Sequence, residues 1–139
     1  MIKVRAFLFK FVLMQHLEYD LQVAVCRYLN YQYAHILFMS DTIASVKLTA
    51  PQAIRNKQIQ KDSFKCPDLI IFEPRGDYHG LFIELKKESP YKKNGELFAN
   101  DHLQGQAKTM QDLTERGYKC YFAWSFEQAK YLIDSYLSI

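Results

Sequence analysis

Three residues of this sequence have the types and spacing needed to work on a phosphodiester. Asp68 follows Pro67 at the start of one apolar run, and the triplet Glu84-Leu85-Lys86 ends another. Two neighbouring carboxylates repel each other, and a hard divalent cation such as Mg²⁺, which takes oxygen ligands, relieves that repulsion. A lysine beside them can act on an attacking water or stabilise charge developing on phosphorus. These residues are a candidate site for metal-assisted hydrolysis.

Two predicted strands, Asp68–Phe72 and Gly80–Lys86, must bring these groups together. Both are apolar runs, and residues 73–79 between them contain the Pro and Gly typical of a hairpin connection. Antiparallel pairing across this turn would place the carboxylate of Asp68 beside that of Glu84.

The alternation of side chains along the second strand separates charge from core. Glu84 and Lys86 point to the same side, because alternate residues of a strand share a face. The opposite row is apolar and comprises Leu81, Ile83 and Leu85. Glu-x-Lys triplets are also common on solvated strands, so the interpretation depends on the surrounding elements.

The surrounding elements predict one α/β domain with a mixed sheet. The predicted order is a helix over Phe11–Leu29, a strand over Ala34–Met39, a helix from Thr49 to Lys61, the two strands above, a helix over Asp101–Arg116, a strand over Tyr118–Trp124, and a last helix capped by Ser125. A hairpin followed by a β-α-β crossover implies antiparallel and parallel pairing in one sheet, with helices on both faces.

Composition excludes several classes of protein. The three cysteines, which are Cys26, Cys66 and Cys120, are odd in number and widely spaced, so neither a disulfide framework nor a zinc ribbon is predicted. The histidines lack zinc-site spacing, and His79 and His102 are expected to be exposed. No Walker loop, nucleophile elbow or dinucleotide glycine pattern occurs. We expect a protein of the cytoplasm, without a membrane span.

Basic residues bracket the two acidic motifs. Lys65 leads into the first motif, and Lys87, Lys92 and Lys93 follow the second. They lie in or next to the polar loop of residues 87–100, whose length is typical of a functional or mobile segment. Contacts of these lysines with phosphates would give salt-sensitive binding of nucleic acid, largely independent of sequence. A merely solvated lysine-rich loop is the alternative.

Taken in order, these segments resemble the PD-(D/E)XK nuclease superfamily, and within it the stand-alone, phage-type VRR-NUC family. The resemblance is carried by residues 67–74, 81–87, 106 and 117–119, and it extends over residues 15–136. It implies a restriction-endonuclease-like fold with an αβββαβ core, in a single VRR-NUC-like domain over residues 1–139. It also implies Asp68 and Glu84 as ligands of Mg²⁺ or Mn²⁺, the backbone carbonyl of Leu85 as a further ligand, and Lys86 as the catalytic lysine.

The same resemblance asks for a glutamate on the first helix. Glu18 matches it and lies on the shoulder of the apolar stripe of that helix. It would contact the metal through a water molecule. Asp20 and Gln22 stay open as alternatives.

A glutamine on the third predicted helix is also implied, to orient Lys86 or the water. Gln106 borders the apolar stripe, whereas Gln104 falls on the polar face, so Gln106 is preferred and Gln104 stays open. Gly105 between them costs about 1 kcal/mol relative to alanine inside a helix. Close approach of a nucleic-acid backbone would explain this glycine, as would a helix that begins at Gln106.

The implied activity is that of a Mg²⁺- or Mn²⁺-dependent endodeoxyribonuclease. We expect it to be structure-selective, acting on branched DNA of the Holliday-junction type as a homodimer, in a bacterial or phage-infected cell. One alternative is the same site acting on RNA or in restriction. Another is a nuclease-like domain that binds nucleic acid or a partner protein without cleavage.

Overall fold

The computed structural model describes residues 2–40 and 46–139, with side chains from residue 17 onward. Its elements in chain order are α1 (Ile2–Gln32), β1 (Phe38–Ser40), α2 (Ala50–Ile59), β2 (Leu69–Ile71), β3 (Leu81–Leu85), α3 (Asp101–Glu115), β4 (Lys119–Ala123) and α4 (Phe126–Leu137). No helix in this part of the chain is long and apolar enough to cross a membrane.

The four strands form one mixed sheet in the order β1-β2-β3-β4. β2 pairs antiparallel with both β1 and β3, and β4 pairs parallel with β3. The register places Ile70 opposite Phe82, so the chain between β2 and β3 closes a hairpin as predicted. α3 makes the crossover between the two parallel strands. The predicted mixed sheet is confirmed.

Helices cover both faces of the sheet. On one face α1 and α4 pack on the apolar row of the strands, forming the larger core of Val25, Leu29, Ile36, Leu69, Ile71, Leu81, Ile83, Leu85, Ala123, Ala129, Ile133 and Tyr136. On the other face Leu113 of α3 packs against Ile70 and Phe82. Each fully buried aliphatic side chain contributes roughly 1.5–3 kcal/mol of transfer free energy. The larger core therefore holds the strands in place from the α1 and α4 face. The α3 face can then carry polar residues beside its smaller apolar cluster.

Two boundaries differ from those predicted. The backbone of α1 is helical beyond both ends of the predicted Phe11–Leu29. β1 is shorter than the predicted Ala34–Met39, because the chain first turns after α1. The amide of Ile36 donates to the carbonyl of Tyr33 at 2.9 Å, and strand pairing begins only after this turn.

The other helix ends follow the sequence signals. Thr49 caps α2 in a reciprocal capping box with Gln52, and the hydroxyl of Ser125 caps α4 by accepting from the amide of Gln128. Gly117 follows α3 at φ +91°, a conformation that glycine adopts without strain.

Asp134 joins α4 to α1. Its Oδ1 accepts from the hydroxyl of Tyr28 and, at 2.8 Å, from that of Tyr33, while Lys130 donates to Oδ2 at 2.8 Å. Partial burial raises the pKa of Asp134, but the three donors outweigh this effect and leave the pKa below its ordinary value. The ionised carboxylate therefore stabilises the contact between the two helices.

We predict that Asp134→Asn lowers the free energy of unfolding by about 1–2 kcal/mol near neutral pH. The unfolded chain binds the proton more readily than the folded chain. The stabilisation is therefore present above the unfolded pKa and is lost as the pH falls through the folded pKa. Urea denaturation near pH 7 and near pH 3 should show the difference between wild type and variant shrinking at low pH.

Asp112→Asn is the matched control, because Asp112 pairs with Lys108 at the same helical spacing on an exposed surface. Its effect should stay below about 0.5 kcal/mol. An Asp134→Asn effect of equal size at both pH values would contradict the role of the ionised carboxylate.

Candidate active site

The first two predicted site residues meet at the edge of the sheet where β2 begins and β3 ends. Continuing the β2–β3 register by one pair beyond Leu69 and Ile83 places Asp68 opposite Glu84, on the face that α3 covers. Oδ2 of Asp68 accepts a hydrogen bond from the amide of Leu85 at 2.8 Å, and its carboxyl group is within hydrogen-bonding reach of that of Glu84.

Glu84 is a buried acid with only 5% of its surface exposed. Its Oε1 accepts from Nε2 of Gln106 at 2.6 Å and lies 3.8 Å from Nζ of Lys86. Burial, and then the charge of Asp68, raises the pKa of Glu84, while the nearby Lys86 ammonium lowers it. One lysine only partly compensates two carboxyl groups, so the pair retains an unmet need for positive charge.

Gln106 extends from α3 to the carboxyl pair and is buried. Its Nε2 serves Glu84, whereas its Oε1 is buried and has no hydrogen-bond partner among the residues that the structure describes. A buried acceptor without a partner costs about 1–3 kcal/mol, so this oxygen marks a place for a donor or a cation. Gln104 is exposed and donates to the carbonyl of Phe98 instead.

The three acidic and amide candidates on α1 have different surroundings. Glu18 is partly buried, and burial and then the charge of Asp68 raise its pKa against the opposing charges of Lys86 and Lys87. Asp20 is exposed.

Gln22 acts on the site through β1. Its Nε2 donates to Oγ of Ser40 at 2.6 Å, and this hydroxyl donates to the backbone carbonyl of Asp68 at 2.9 Å. Gln22 thus helps to position Asp68 from behind, while Glu18 faces the cavity.

A cavity of about 450 Å³ brings the predicted site residues together. Its lining includes Glu18, Lys65, Asp68, Glu84, Lys86 and Gln106. α2 contributes Asn56 and Gln60 to the same cavity, although this helix has no buried residue. Sequence periodicity could not indicate these two residues, because they lie on a helix that is polar on most sides.

His102 is exposed, as expected, and also lines this cavity. Burial, followed by the charges of Lys86 and Lys65, lowers the pKa of His102, with Asp68 opposing. The lowered pKa favours the neutral ring, which can donate or accept a hydrogen bond. A signal existed in the sequence: His102 lies four residues before Gln106, on the same side of α3. His79 is exposed as expected.

One of the two explanations proposed for Gly105, a helix that begins at Gln106, is wrong. α3 begins at Asp101, so this glycine is within the helix. A Cβ at this position would lie 2.5 Å from Cε of Lys65, whose side chain crosses the glycine. The amide of Lys65 also donates to Oγ1 of Thr109 at 3.1 Å. The missing side chain thus makes room for Lys65 of the same chain.

The donor set fits a hard cation. It consists of carboxylate oxygens and an unpartnered amide oxygen, which Mg²⁺ and Mn²⁺ prefer. Among the described residues, no three acidic, histidine or cysteine side chains are close enough to form a complete metal cluster. The contributions of Glu18 and of the Leu85 carbonyl to metal binding therefore stay predictions. Cys66 packs on the Ile70–Phe82 side of the sheet.

The fold has a counterpart among solved structures. A chain described as a "VRR_NUC domain protein" superposes with a TM-score of 0.58 and 23% sequence identity, over 87% of this chain and 88% of that chain. This chain has the VRR_NUC fold. The predicted restriction-endonuclease-like architecture is therefore confirmed. No family model and no curated protein matches the sequence.

We predict that Glu84→Gln stabilises the protein in the presence of a chelator. Burial and the charge of Asp68 raise the pKa of Glu84 to about 9, so the wild type must take up a proton on folding near pH 7.5. The variant is neutral in both states and keeps an acceptor for Gln106, so its free energy of unfolding should rise by about 1–2 kcal/mol. Thermal denaturation in EDTA measures this. Glu88→Gln, at an exposed position after the same strand, should change little. A clear loss of stability in Glu84→Gln would show that the carboxyl pair is not strained.

Proposed function

We propose that this chain is a VRR-NUC nuclease, a Mg²⁺- or Mn²⁺-dependent endodeoxyribonuclease that hydrolyses phosphodiester bonds. The observation that carries the proposal is the contact between the carboxyl groups of Asp68 and Glu84, in a cavity that Lys86 and Gln106 also line. The shared fold with a VRR_NUC domain protein supports it. The site is built for charge stabilisation rather than for a nucleophilic side chain.

In this proposal Asp68 and Glu84 hold the metal ion, with the carbonyl of Leu85 and, through water, Glu18 as further contacts. A bound divalent ion supplies an activated water and neutralises phosphate charge. The chain itself supplies position: the Leu85 amide fixes one carboxylate oxygen of Asp68, and Nε2 of Gln106 fixes Glu84.

Lys86 is the group assigned to the reacting phosphate. Only 15% of its side chain is exposed, and its Nζ lies 3.8 Å from Oε1 of Glu84, which places the ammonium group beside the carboxyl pair. From there it can orient the attacking water or stabilise charge on the phosphoryl oxygens. The free Oε1 of Gln106 can accept from that water or from Lys86.

Basic groups on two sides of the cavity favour a nucleic acid that passes across it. Lys65 lines this cavity, and Lys87 lines a second cavity that adjoins it. Lys92 and Lys93 are on an ordered hairpin, residues 90–98, in which Tyr91 and Leu97 form a β-bridge. We propose these four lysines as phosphate contacts. Branched DNA of the Holliday-junction type is the proposed substrate, and a homodimer would supply two active sites, by analogy with enzymes that cut both strands.

The enzymatic proposal predicts that Asp68→Asn, Glu84→Gln and Lys86→Met each reduce cleavage at least about a hundredfold. A panel of branched, flapped, linear and single-stranded DNA and of RNA, incubated with Mg²⁺, Mn²⁺ or EDTA, measures activity and preference. Lys108→Met on the exposed face of α3 is the control and should retain activity. Wild-type rates in Asp68→Asn would overturn the assignment of this site. DNA binding that is indifferent to chelator, with no cleavage in Mg²⁺ or Mn²⁺, would identify a binding module. Light scattering with and without DNA tests the dimer.

The phosphate contacts predict a change in salt dependence. Replacing Lys92 and Lys93 together with alanine should weaken DNA binding and reduce the slope of log K against log salt by about 1–2. Fluorescence anisotropy between low and moderate salt measures the slope. The matched double variant of Lys108 and Lys130, which are exposed on α3 and α4, should leave it unchanged. Equal slopes in both double variants would exclude the hairpin from the interface.

A further inference from the structure

A second cavity adjoins the carboxylate cavity and has a different chemistry. It has a volume of about 590 Å³ and shares Glu18, Lys86 and His102 with its neighbour. Its lining also includes Phe98, Lys87 and Glu88. A ligand bound at the carboxyl pair can therefore extend into it without leaving the protein surface.

Phe98 is unusual because its ring is exposed while its backbone is fixed. Phe98 has 47% of its surface accessible to solvent. Its amide donates to the carbonyl of Pro90 at 3.0 Å, and its carbonyl accepts from the amide of Asn100 at 2.8 Å and from Nε2 of Gln104 at 3.2 Å. These three bonds tie the end of the 90–98 hairpin to the start of α3. The position is thus preorganised, and core packing does not require the aromatic ring there.

The combination of groups indicates the class of ligand. A flat, exposed ring offers a stacking surface, and the ammonium groups of Lys86 and Lys87 offer attraction for a phosphate chain. A base inside a duplex is already stacked on both faces and cannot lie flat against a side chain without leaving the helix. The cavity therefore suits a base that is unpaired.

We propose that this cavity binds the unpaired base of a nucleotide whose neighbouring phosphate contacts Lys86 beside the carboxyl pair, with the base stacked on the ring of Phe98. The inference rests on the proposed nuclease function and would give a preference for flapped over linear DNA a physical source. Paired DNA, including a fully paired four-way junction, would have to unstack a base to gain this contact, whereas a flap presents one without that cost.

The test uses flapped DNA with 2-aminopurine placed at successive positions from the duplex junction into the single strand. Binding in EDTA should quench the fluorescence of one or two neighbouring positions in the wild type. Phe98→Ala should abolish this quench and weaken binding of flapped DNA about tenfold, as expected for loss of one stacked base, while binding of linear duplex changes little. Phe98→Tyr should retain the quench.

Two controls separate stacking from folding. Phe98→Leu keeps an apolar side chain without an aromatic face and should behave like Phe98→Ala at an unchanged melting temperature. Tyr131→Ala removes another exposed ring, 70% accessible on α4 and outside both cavities, and should behave as the wild type.

The outcomes of this experiment are distinct from those of the cleavage test. Glu84→Gln should abolish cleavage and keep the quench. If Glu84→Gln cleaves at the wild-type rate, the nuclease proposal fails, whatever Phe98 does. If Phe98→Leu quenches 2-aminopurine as the wild type does, or if flapped and linear DNA lose affinity equally, the stacking proposal is overturned even when the nuclease proposal stands.

Discussion

The repulsion between two carboxyl groups organises this molecule. Asp68 and Glu84 come from different strands, and only the register of the β2–β3 hairpin brings them into contact. A buried acid pair is costly, and the chain reduces the cost with several separate devices. These are the Leu85 amide, the Gln106 amide group and the Lys86 ammonium, together with the Gln22–Ser40 link that holds the backbone of Asp68. Helices α1 and α3 and strand β1 thus converge on one pair of side chains.

The division of the sheet into two faces makes this arrangement possible. The row of Leu81, Ile83 and Leu85 is buried against α1 and α4, and these contacts hold β3 in place without help from its other face. The α3 face can then contain Glu84 and Gln106, which would weaken an all-apolar core. The free energy gained by burial in the larger core therefore offsets the cost of placing these polar groups on the α3 face.

Much of this was readable from the sequence because it depends on local periods. The alternation in β3 predicted that Glu84 and Lys86 share a face, and the stripe of α3 favoured Gln106 over Gln104 for the inner position. What failed depends on contacts between distant residues. Gly105 accommodates Lys65, and no local pattern links a glycine in a helix with a lysine that precedes a strand.

α2 has a property that matters for access. It lines the carboxylate cavity through Asn56 and Gln60, yet none of its residues is buried. Separating it from the rest of the fold exposes little apolar surface, so its local opening has a small free energy compared with unfolding of the sheet. α2 and the sheet, which both border the site, therefore differ in stability. The sheet must hold its geometry against charge repulsion, whereas α2, with no buried residue, can open locally without unfolding the sheet.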